Sequence, residues 1–554
     1  MVTFQNAGIV FFVSLLISVL MTPFSGRLAE WIGAIDHPDG DRKHHDCAVP
    51  RLGGIGITTG FLLPPLFLLP FGREVGGVLT GAFVIGIAGL LDDALQLRPV
   101  TKLLAQIAAA TCFVFISGAS LTSFGDLLGM GAIETGELAP WITIFCIVGV
   151  INAMNLCDGL DGLAAGFAAI ACIFLAVLAV GQQNWLLLAL LLALMGGTFG
   201  FLRYNTHPAH LFMGDVGSMM LGYGLAVLSV LMVQIPSSGM HAIAPVSIAL
   251  ILALPIVDTL LVMGRRLLQS KNPFIGDRTH LHHRLLALGL PHDQVVMLLY
   301  ICMALFGCLA LTVRSLPAWL QIACGAFVLL GLFSSLSLFE RMQGRYRFRY
   351  PRQMFRMISV LAGRRWSWLR SRTRTISAVF VALIGLAVVV TPVPYAVATS
   401  MLYGVLFSVV LLYPWHPDRE HVAVQKGVVY MMVTALFLTV HLRAPQWLQY
   451  YLAFLAVVAL AIVCVRVASW SRQTRGPSSF QALILLNVAL IPLIMVLLPL
   501  FDADEIDSVV VACLEAVPVA WLLNGYSAHI YRRNRHVTLM LMGLIVLILL
   551  RTEI

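Results

Sequence analysis

Long apolar runs recur along the whole chain, and short polar segments separate them. An apolar run of about 20 residues is the length that an α-helix needs to cross a bilayer. Over residues 1–340 this pattern predicts about eleven transmembrane helices. They are predicted at about 8–30, 52–71, 77–91, 103–120, 141–156, 163–180, 185–202, 211–233, 242–263, 294–313 and 317–339. The predicted fold class is therefore an all-α polytopic membrane protein.

A second set of apolar runs begins near residue 377. It predicts about seven more spans, and no internal repeat relates it to the first set. These spans are predicted at roughly 377–391, 395–413, 428–444, 447–465, 480–500, 508–527 and 537–550. We therefore predict three parts, which are a membrane domain (1–340), an arginine-rich linker (341–376) and a multi-span membrane extension (377–554).

The composition agrees with this fold class. Of the 554 residues, 60% are hydrophobic and 11% are charged, against roughly 45–50% and about 25% in soluble domains. These values exclude a water-soluble enzyme, a disordered chain and a secreted disulfide scaffold. The ten cysteines include no C-x-x-C pair, which favours small buried hydrophobes over a metal site. The first apolar run has no basic n-region, so we expect a first span and not a signal peptide.

The positive charges predict which loops face the cytoplasm. The net charge is +9, and eleven arginines lie between Arg341 and Arg374 without an acidic residue. Such a segment is typical of the cytoplasmic side, beside anionic lipid, and we expect no nucleic-acid partner. Alternation then places the N-terminus outside. It places the cytoplasmic loops at 31–51, 92–102, 157–162, 203–210 and 264–293.

The unusual polar residues lie in these cytoplasmic loops or at the inner ends of spans. Ionisable groups at membrane depth are costly and tend to mark functional sites. Because these residues all lie on the cytoplasmic side of the membrane, we predict one site at the cytoplasmic membrane surface. The polar segments are 36–56, 89–106, 152–162, 207–218 and 277–284.

Carboxylates and carboxamides in these segments predict a site for a hard cation. Asp92 and Asp93 repel each other unless a cation or a shared proton lies between them. Asn152 and Asn155 share a helical face, and Asp158, Asp161 and Asp215 lie next to glycines. Such oxygen ligands suit Mg²⁺, which takes a few protein oxygens and a substrate phosphate. A solvated helix end and a plain polar turn are the alternatives.

Basic side chains in the same loops predict phosphate binding. Lys43 and Lys102 follow spans, and His280-Leu-His282-His283 lies between arginines. The arginines favour an anion because they repel a cation and can bind phosphate bidentately. A zinc pair and a solvated loop are the alternatives. With the carboxylates, these groups suit phosphoryl transfer by positioning and charge neutralisation, with a lipid as one reactant.

The motifs resemble those of the polyprenyl-phosphate N-acetylhexosamine-1-phosphate transferases. The resemblance covers about residues 1–340 and includes the number of spans. It is carried by Asp92-Asp93, Asn152-x-x-Asn155-x-x-Asp158-Gly-x-Asp161-Gly, Phe212-Met-Gly-Asp215-x-Gly-Ser218 and His280-Leu-His282-His283. It implies a Mg²⁺-dependent phosphotransferase in the bacterial inner membrane, with the active site on the cytoplasmic face. The enzyme would transfer a sugar 1-phosphate from a UDP-N-acetylhexosamine to undecaprenyl phosphate, releasing UMP, as the first step of a cell-envelope polysaccharide.

The resemblance also implies roles for individual residues. Asp92, Asp93 and Asp215 are the implied catalytic residues, and Asn155 and Asp215 are the implied ligands of Mg²⁺, with Mn²⁺ as a possible substitute. Asp161 matches a position that contacts uracil. The implied substrate-binding residues are Lys43, Lys102, Asn152, Asp158, Asp161, His280, His282 and His283.

The histidine motif bears on the sugar. The branch that uses UDP-MurNAc-pentapeptide carries three consecutive histidines and then an acidic residue, whereas His283 is followed here by Arg284. The motif therefore resembles the branch that uses UDP-GlcNAc, which primes O-antigen and related polymers. A phospho-MurNAc-pentapeptide transferase is one alternative. A transporter of an anionic solute is another, although transporters often carry repeats and charges at the bilayer midplane.

Residues 377–554 resemble nothing in that family. We expect them to form a packing or docking module, through which the chain forms a homodimer or recruits another enzyme of the pathway. A unit that handles the lipid product is the alternative.

Overall fold

The computed structural model describes residues 2–36, 48–234, 243–271 and 279–346. These residues form helices and one small two-stranded sheet. The helices are α1 (Phe4–Ile32), α2 (Gly54–Leu68), α3 (Arg73–Leu95), α4 (Pro99–Ser117), α5 (Ala139–Cys157), α6 (Leu163–Gly181), α7 (Trp185–Asn205), α8 (Gly214–Gln234), α9 (Pro245–Ile251), α10 (Ala253–Leu268), α11 (Leu281–Ala287), α12 (His292–Val313) and α13 (Ala318–Tyr346). The sheet pairs β1 (Ile35–Asp36) antiparallel with β2 (Val49–Pro50), and a 3₁₀ turn (Gly136–Leu138) precedes α5.

The described residues confirm an all-α multi-pass membrane protein. Nine of their helices are long and apolar enough to span a membrane, and the bent pair α9–α10 raises this number to ten. The apolar helix α2 is shorter, with 15 residues. Each span predicted within residues 1–340 corresponds to one of these helices or to the bent pair. The seven spans predicted for 377–554, and most of the predicted linker, lie outside the described residues.

The predicted span 242–263 is not one straight helix. Helices α9 and α10 meet at an angle of 82°. Pro255, the third residue of α10, explains the break, because proline has no N–H for the hydrogen-bond ladder and its ring clashes with the carbonyl four residues earlier. The bend carries Asp258, one turn further along α10, to a position near the start of α11.

Helix α8 lies at the centre of the bundle. In its apolar stretch 94% of the residues are buried, against 28% in α1 and α4 and 17% in α13. Glycines let the backbones approach closely here, since a Cβ at Gly89 of α3 would lie 2.4 Å from the Val216 Cα. Helices α3 and α5 also pack against α8. The start of α8 therefore lies beside the ends of α3 and α5, where the polar motifs occur.

Candidate active site

An ionic cluster joins the ends of four helices. Lys102, in the first turns of α4, places its Nζ 2.9 Å from Asp92 Oδ2 and forms an ion pair with Asp215 Oδ1. Asn155, near the end of α5, donates from Nδ2 to Asp215 Oδ1 at 2.7 Å and to Ser218 Oγ at 2.7 Å. The structure thus brings together four of the residues that the sequence analysis singled out.

The turn between α3 and α4 explains how Asp92 reaches Lys102. Asp92 Oδ1 accepts the N–H of Leu97 at 2.9 Å, which ties the carboxylate to the turn that ends α3. Pro99 then starts α4, at a position where its missing N–H costs nothing. Because the two helices are antiparallel neighbours, Lys102 returns to the level of Asp92.

Asp93 has a different set of contacts from Asp92. Its two carboxylate oxygens accept the backbone N–H groups of Asp215 at 2.9 Å and Val216 at 3.0 Å, and the residue is only 4% exposed. The first N–H groups of a helix have no partner within the helix, so Asp93 acts as a cap for α8 from a neighbouring helix. In this geometry Asp93 positions Asp215.

Gly214 makes this capping possible. Its φ is +66°, a conformation that residues with a side chain rarely adopt. A Cβ there would lie 2.4 Å from Asp93 Oδ2 and 2.2 Å from the Arg51 carbonyl oxygen. Glycine at position 214 therefore lets the start of α8 fit against the end of α3.

The loop between α5 and α6 adds Asp158 to the cluster. Burial, as the larger cause, and the neighbouring carboxylates of Asp215, Asp161 and Asp93 together raise the pKa of Asp158 to about 8. Gly162 ends the loop with φ +78°, and its N–H donates to Asn205 Oδ1 at 2.8 Å. This hydrogen bond fixes the end of the loop, which carries the buried carboxyl group of Asp158.

Asp161 faces a separate pair of histidines. Its Oδ2 lies 2.6 Å from His207 Nδ1 and accepts the N–H of Ala209 at 3.1 Å, while its own N–H donates to His292 Nε2 at 3.1 Å. Burial alone would raise the pKa of Asp161, but these bonds and the neighbouring imidazoles lower it. The hydrogen bond to Asp161 in turn raises the pKa of His207. Ligand atoms of Asp161, His207 and His292 lie within 4.8 Å of one another, close enough to hold a metal ion.

The histidine motif forms the start of α11. His280 Nδ1 lies 2.9 Å from Asp258 Oδ2, and Asp258 Oδ1 accepts the N–H of Leu281 at 2.9 Å. His282 is 3% exposed and packs against the α5–α6 loop, since a Cβ at Gly159 would lie 2.3 Å from its Nε2. Burial, with His283 and His280 nearby, lowers the pKa of His282 to about 3. The lowered pKa favours the neutral form of the His282 imidazole, which lies against the α5–α6 loop.

Other motif residues lie in or near the cluster with different partners. The carboxamide of Asn152 donates to Gln106 Oε1 at 2.7 Å and to the Val148 carbonyl oxygen at 2.8 Å. His283 lies with its ring centroid 4.2 Å from that of His282. Lys43 lies outside the described residues. Arg284, expected to favour phosphate, donates instead to the carboxylate of Glu340 through two bonds of 2.8 Å.

Sequence reasoning missed Asp258, His292 and Glu340. Asp258 had a usable signal, because a single carboxylate within an apolar run is costly unless it has a partner. His292 and Glu340 had weaker signals, since a charged or polar residue at the end of a span is common. The contacts of His292 and Glu340 depend on which element, distant in sequence, packs against each of them.

The cluster has the donor set of a site for a hard divalent cation. The carboxylates of Asp92 and Asp215 pair with the Lys102 ammonium, the carboxamide of Asn155 donates to Asp215, and Asp158 lies in the loop that follows α5. Oxygen ligands of this kind fit Mg²⁺.

Comparison with known proteins gave one family and several relatives. The model of the family "Glycosyl transferase family 4" matches residues 75–233. A probable undecaprenyl-phosphate N-acetylglucosaminyl 1-phosphate transferase of Bacillus subtilis (strain 168) is 37% identical over 318 residues, which are 57% of this chain and 87% of that protein. A decaprenyl-phosphate N-acetylglucosaminephosphotransferase of Mycobacterium leprae is 30% identical, over 61% of this chain and 92% of that protein. An undecaprenyl-phosphate alpha-N-acetylglucosaminyl 1-phosphate transferase of Escherichia coli (strain K12) is 28% identical, over 55% and 84%.

Proposed function

This chain belongs to glycosyl transferase family 4, together with the polyprenyl-phosphate N-acetylglucosamine 1-phosphate transferases, and we propose that it transfers N-acetylglucosamine 1-phosphate to undecaprenyl phosphate. The observation that carries the proposal is the meeting of Asp92, Lys102, Asn155 and Asp215 at one end of the bundle. Phosphoryl transfer depends mainly on positioning and charge neutralisation, and this cluster supplies both.

The donor is UDP-N-acetylglucosamine. A phosphate oxygen of undecaprenyl phosphate attacks the phosphorus that carries the sugar, the bond from that phosphorus to UMP breaks, and UMP leaves. The products are UMP and a lipid-linked sugar pyrophosphate. The arginine after His283 supports this donor over UDP-MurNAc-pentapeptide, as argued from the sequence.

Mg²⁺ is the cofactor that suits the cluster, with Mn²⁺ as a possible substitute. Asp215 and Asn155 would hold it, and when bound it neutralises charge on the donor phosphates. Asp92 orients Lys102, and we assign to Asp92 the role of accepting a proton from the lipid phosphate or orienting that phosphate. Asp93 acts through the start of α8.

The remaining substrate-binding roles fall on the loops around the cluster. Asp158, Asp161 and Asn152 line the α5 end and the loop that follows, and His280, His282 and His283 belong to α11 or its cap. Lys43, which lies between β1 and β2 in the sequence, joins them in the proposal. We place this face of the bundle on the cytoplasmic side of a bacterial inner membrane, because the basic loops follow the same ends of the helices.

Residues 1–340 form the catalytic membrane domain in this proposal. Residues 341–376 link it to the extension at 377–554, which serves as a docking module for a second copy or for another enzyme of the polysaccharide pathway. The chemistry itself is assigned to the first part alone, since every proposed site residue lies there.

Release of UMP by the purified full-length protein tests the proposal. The reaction contains UDP-GlcNAc, undecaprenyl phosphate and Mg²⁺, and each is omitted in turn. Release that needs all three, with a lipid-linked GlcNAc pyrophosphate as product, is the expected result. Release of UMP only with UDP-MurNAc-pentapeptide would show that this compound, and not UDP-GlcNAc, is the sugar donor. Uptake of a solute by vesicles, without UMP release from folded protein, would favour the transporter instead.

A further inference from the structure

A bidentate ion pair joins α11 to the end of α13. Arg284 donates from Nε to Glu340 Oε1 at 2.8 Å and from Nη2 to Oε2 at 2.8 Å. The Arg284 side chain is 14% exposed and that of Glu340 is 36% exposed. Paired, charge-assisted bonds of this geometry are stronger and more directional than single neutral hydrogen bonds. The pair is therefore able to fix the orientation of one helix relative to the other.

Helix α11 needs such external contacts. It has seven residues, and helices this short are marginal without tertiary contacts. Asp258 bonds the N–H of Leu281, the first residue of α11, and the ring of His280, whereas Arg284 is the middle residue of α11. Between these two anchors His282 packs against Gly159, beside Asp158. A change at either anchor would move His282 relative to that loop.

We propose that Glu340 is a positioning residue for the donor site: through Arg284 it fixes α11, and thereby keeps His282 packed against the α5–α6 loop. This inference rests on the proposed function, because it assumes that α11 and the loop bind the donor. Glu340 is not proposed to contact substrate. Its removal should weaken donor binding and leave the chemical step of bound substrate largely intact.

The first test compares Glu340→Gln with the wild type in the UMP-release assay. We expect the KM for UDP-GlcNAc to rise about five- to tenfold, as for loss of one charge-assisted bond, with kcat changed by less than about twofold. Arg341→Gln, which removes the neighbouring exposed charge on α13, is the matched control and should leave both constants unchanged. A fall in kcat with an unchanged KM would contradict the positioning role.

A double-variant cycle tests the pathway through Arg284. If Glu340 acts only through Arg284, adding Glu340→Gln to Arg284→Gln should raise the KM no further. Effects that multiply would show that Glu340 acts by another route and would overturn the proposal.

Hydrogen–deuterium exchange tests the same contact without catalysis. The amides of residues 281–287 should exchange faster in Glu340→Gln than in the wild type, and those of α8 should not change. Equal exchange in α11 would overturn the inference. If the wild type releases no UMP while the exchange differs as expected, the proposed function fails and the role of Glu340 in fixing α11 stands.

Discussion

Lys102 contacts two carboxylates that come from opposite sides of the site, Asp92 on α3 and Asp215 on α8. At the scale of single residues, one ammonium thus joins the end of α3 to the start of α8. Lys102 also occupies part of the space between the two carboxylates.

Variants of the proposed metal ligands should lose turnover without unfolding. We expect Asp215→Ala and Asn155→Ala to lower Mg²⁺-dependent UMP release by at least about 100-fold, because each removes a group that positions charge in the transition state. Asn184→Ala is a suitable control, since Asn184 caps α7 at the other end of the bundle through the N–H of Leu187. Normal turnover in either site variant would remove the metal assignment.

The raised pKa of Asp158 predicts a dependence of stability on pH. Between the ordinary value of 3.8 and the folded value of about 8, the folded protein retains a proton that the unfolded chain has lost. Stability should therefore fall as the pH rises through this window. Asp158→Asn should remove this loss, so that its thermal midpoint exceeds that of the wild type by an amount that grows from pH 4 to pH 8.

The exposed Glu134 provides the control for that measurement, as Glu134→Gln should show no such trend. Mg²⁺ should also raise the midpoint of the wild type at pH 8 more than that of Asp158→Asn, if the cation balances the carboxylates. If the difference in thermal midpoint between Asp158→Asn and the wild type stayed the same from pH 4 to pH 8, this would contradict the raised pKa assigned to Asp158.

The residues that could be predicted from the sequence are those whose chemistry is unusual for their place. Carboxylates and carboxamides beside apolar runs, as at Asp92, Asn155 and Asp215, are costly without a function, and the structure brings these three together. Asp258 and Glu340 could not be predicted with the same force. Their roles depend on the bend at Pro255 and on the approach of α13, which no local pattern specifies.

At the scale of elements, the fit of α11 against the α5–α6 loop can be tested by a single methyl group. Gly159→Ala adds a Cβ only 2.3 Å from His282 Nε2, so the buried imidazole ring must move. We expect the KM for the donor to rise by about threefold or more, the size of a modest overpacking effect. Gly149→Ala, in the preceding helix, is the matched control, because nothing lies within 4 Å of its Cβ.

An unchanged KM in Gly159→Ala would mean that His282 can shift without affecting the donor. The boundaries of α5 and α6 were largely predictable from hydrophobicity, whereas α11 lies within the stretch predicted as the loop 264–293. The angle between α9 and α10 was not predictable, because apolar composition sets the length of a span but not its direction.

At the scale of the whole molecule, the proposed chemistry belongs to the first part of the chain. Truncation after Thr375 should leave UMP release within about threefold of the full-length protein, because large effects on catalysis need a change at the site. The measurement is turnover by purified truncated protein, with its helicity compared by circular dichroism. A folded but inactive truncate would show that the extension contributes to the reaction.

The contacts of the ionic cluster all lie at one end of α3, α5 and α8. A sugar attached there remains in the membrane leaflet at which its donor arrived, because the polar head group that the reaction creates cannot cross the hydrocarbon region unaided. The direction of these three helices therefore decides which leaflet is loaded with lipid-linked sugar. Any polymer assembled on the opposite side requires that head group to be carried across the bilayer in a separate transport step.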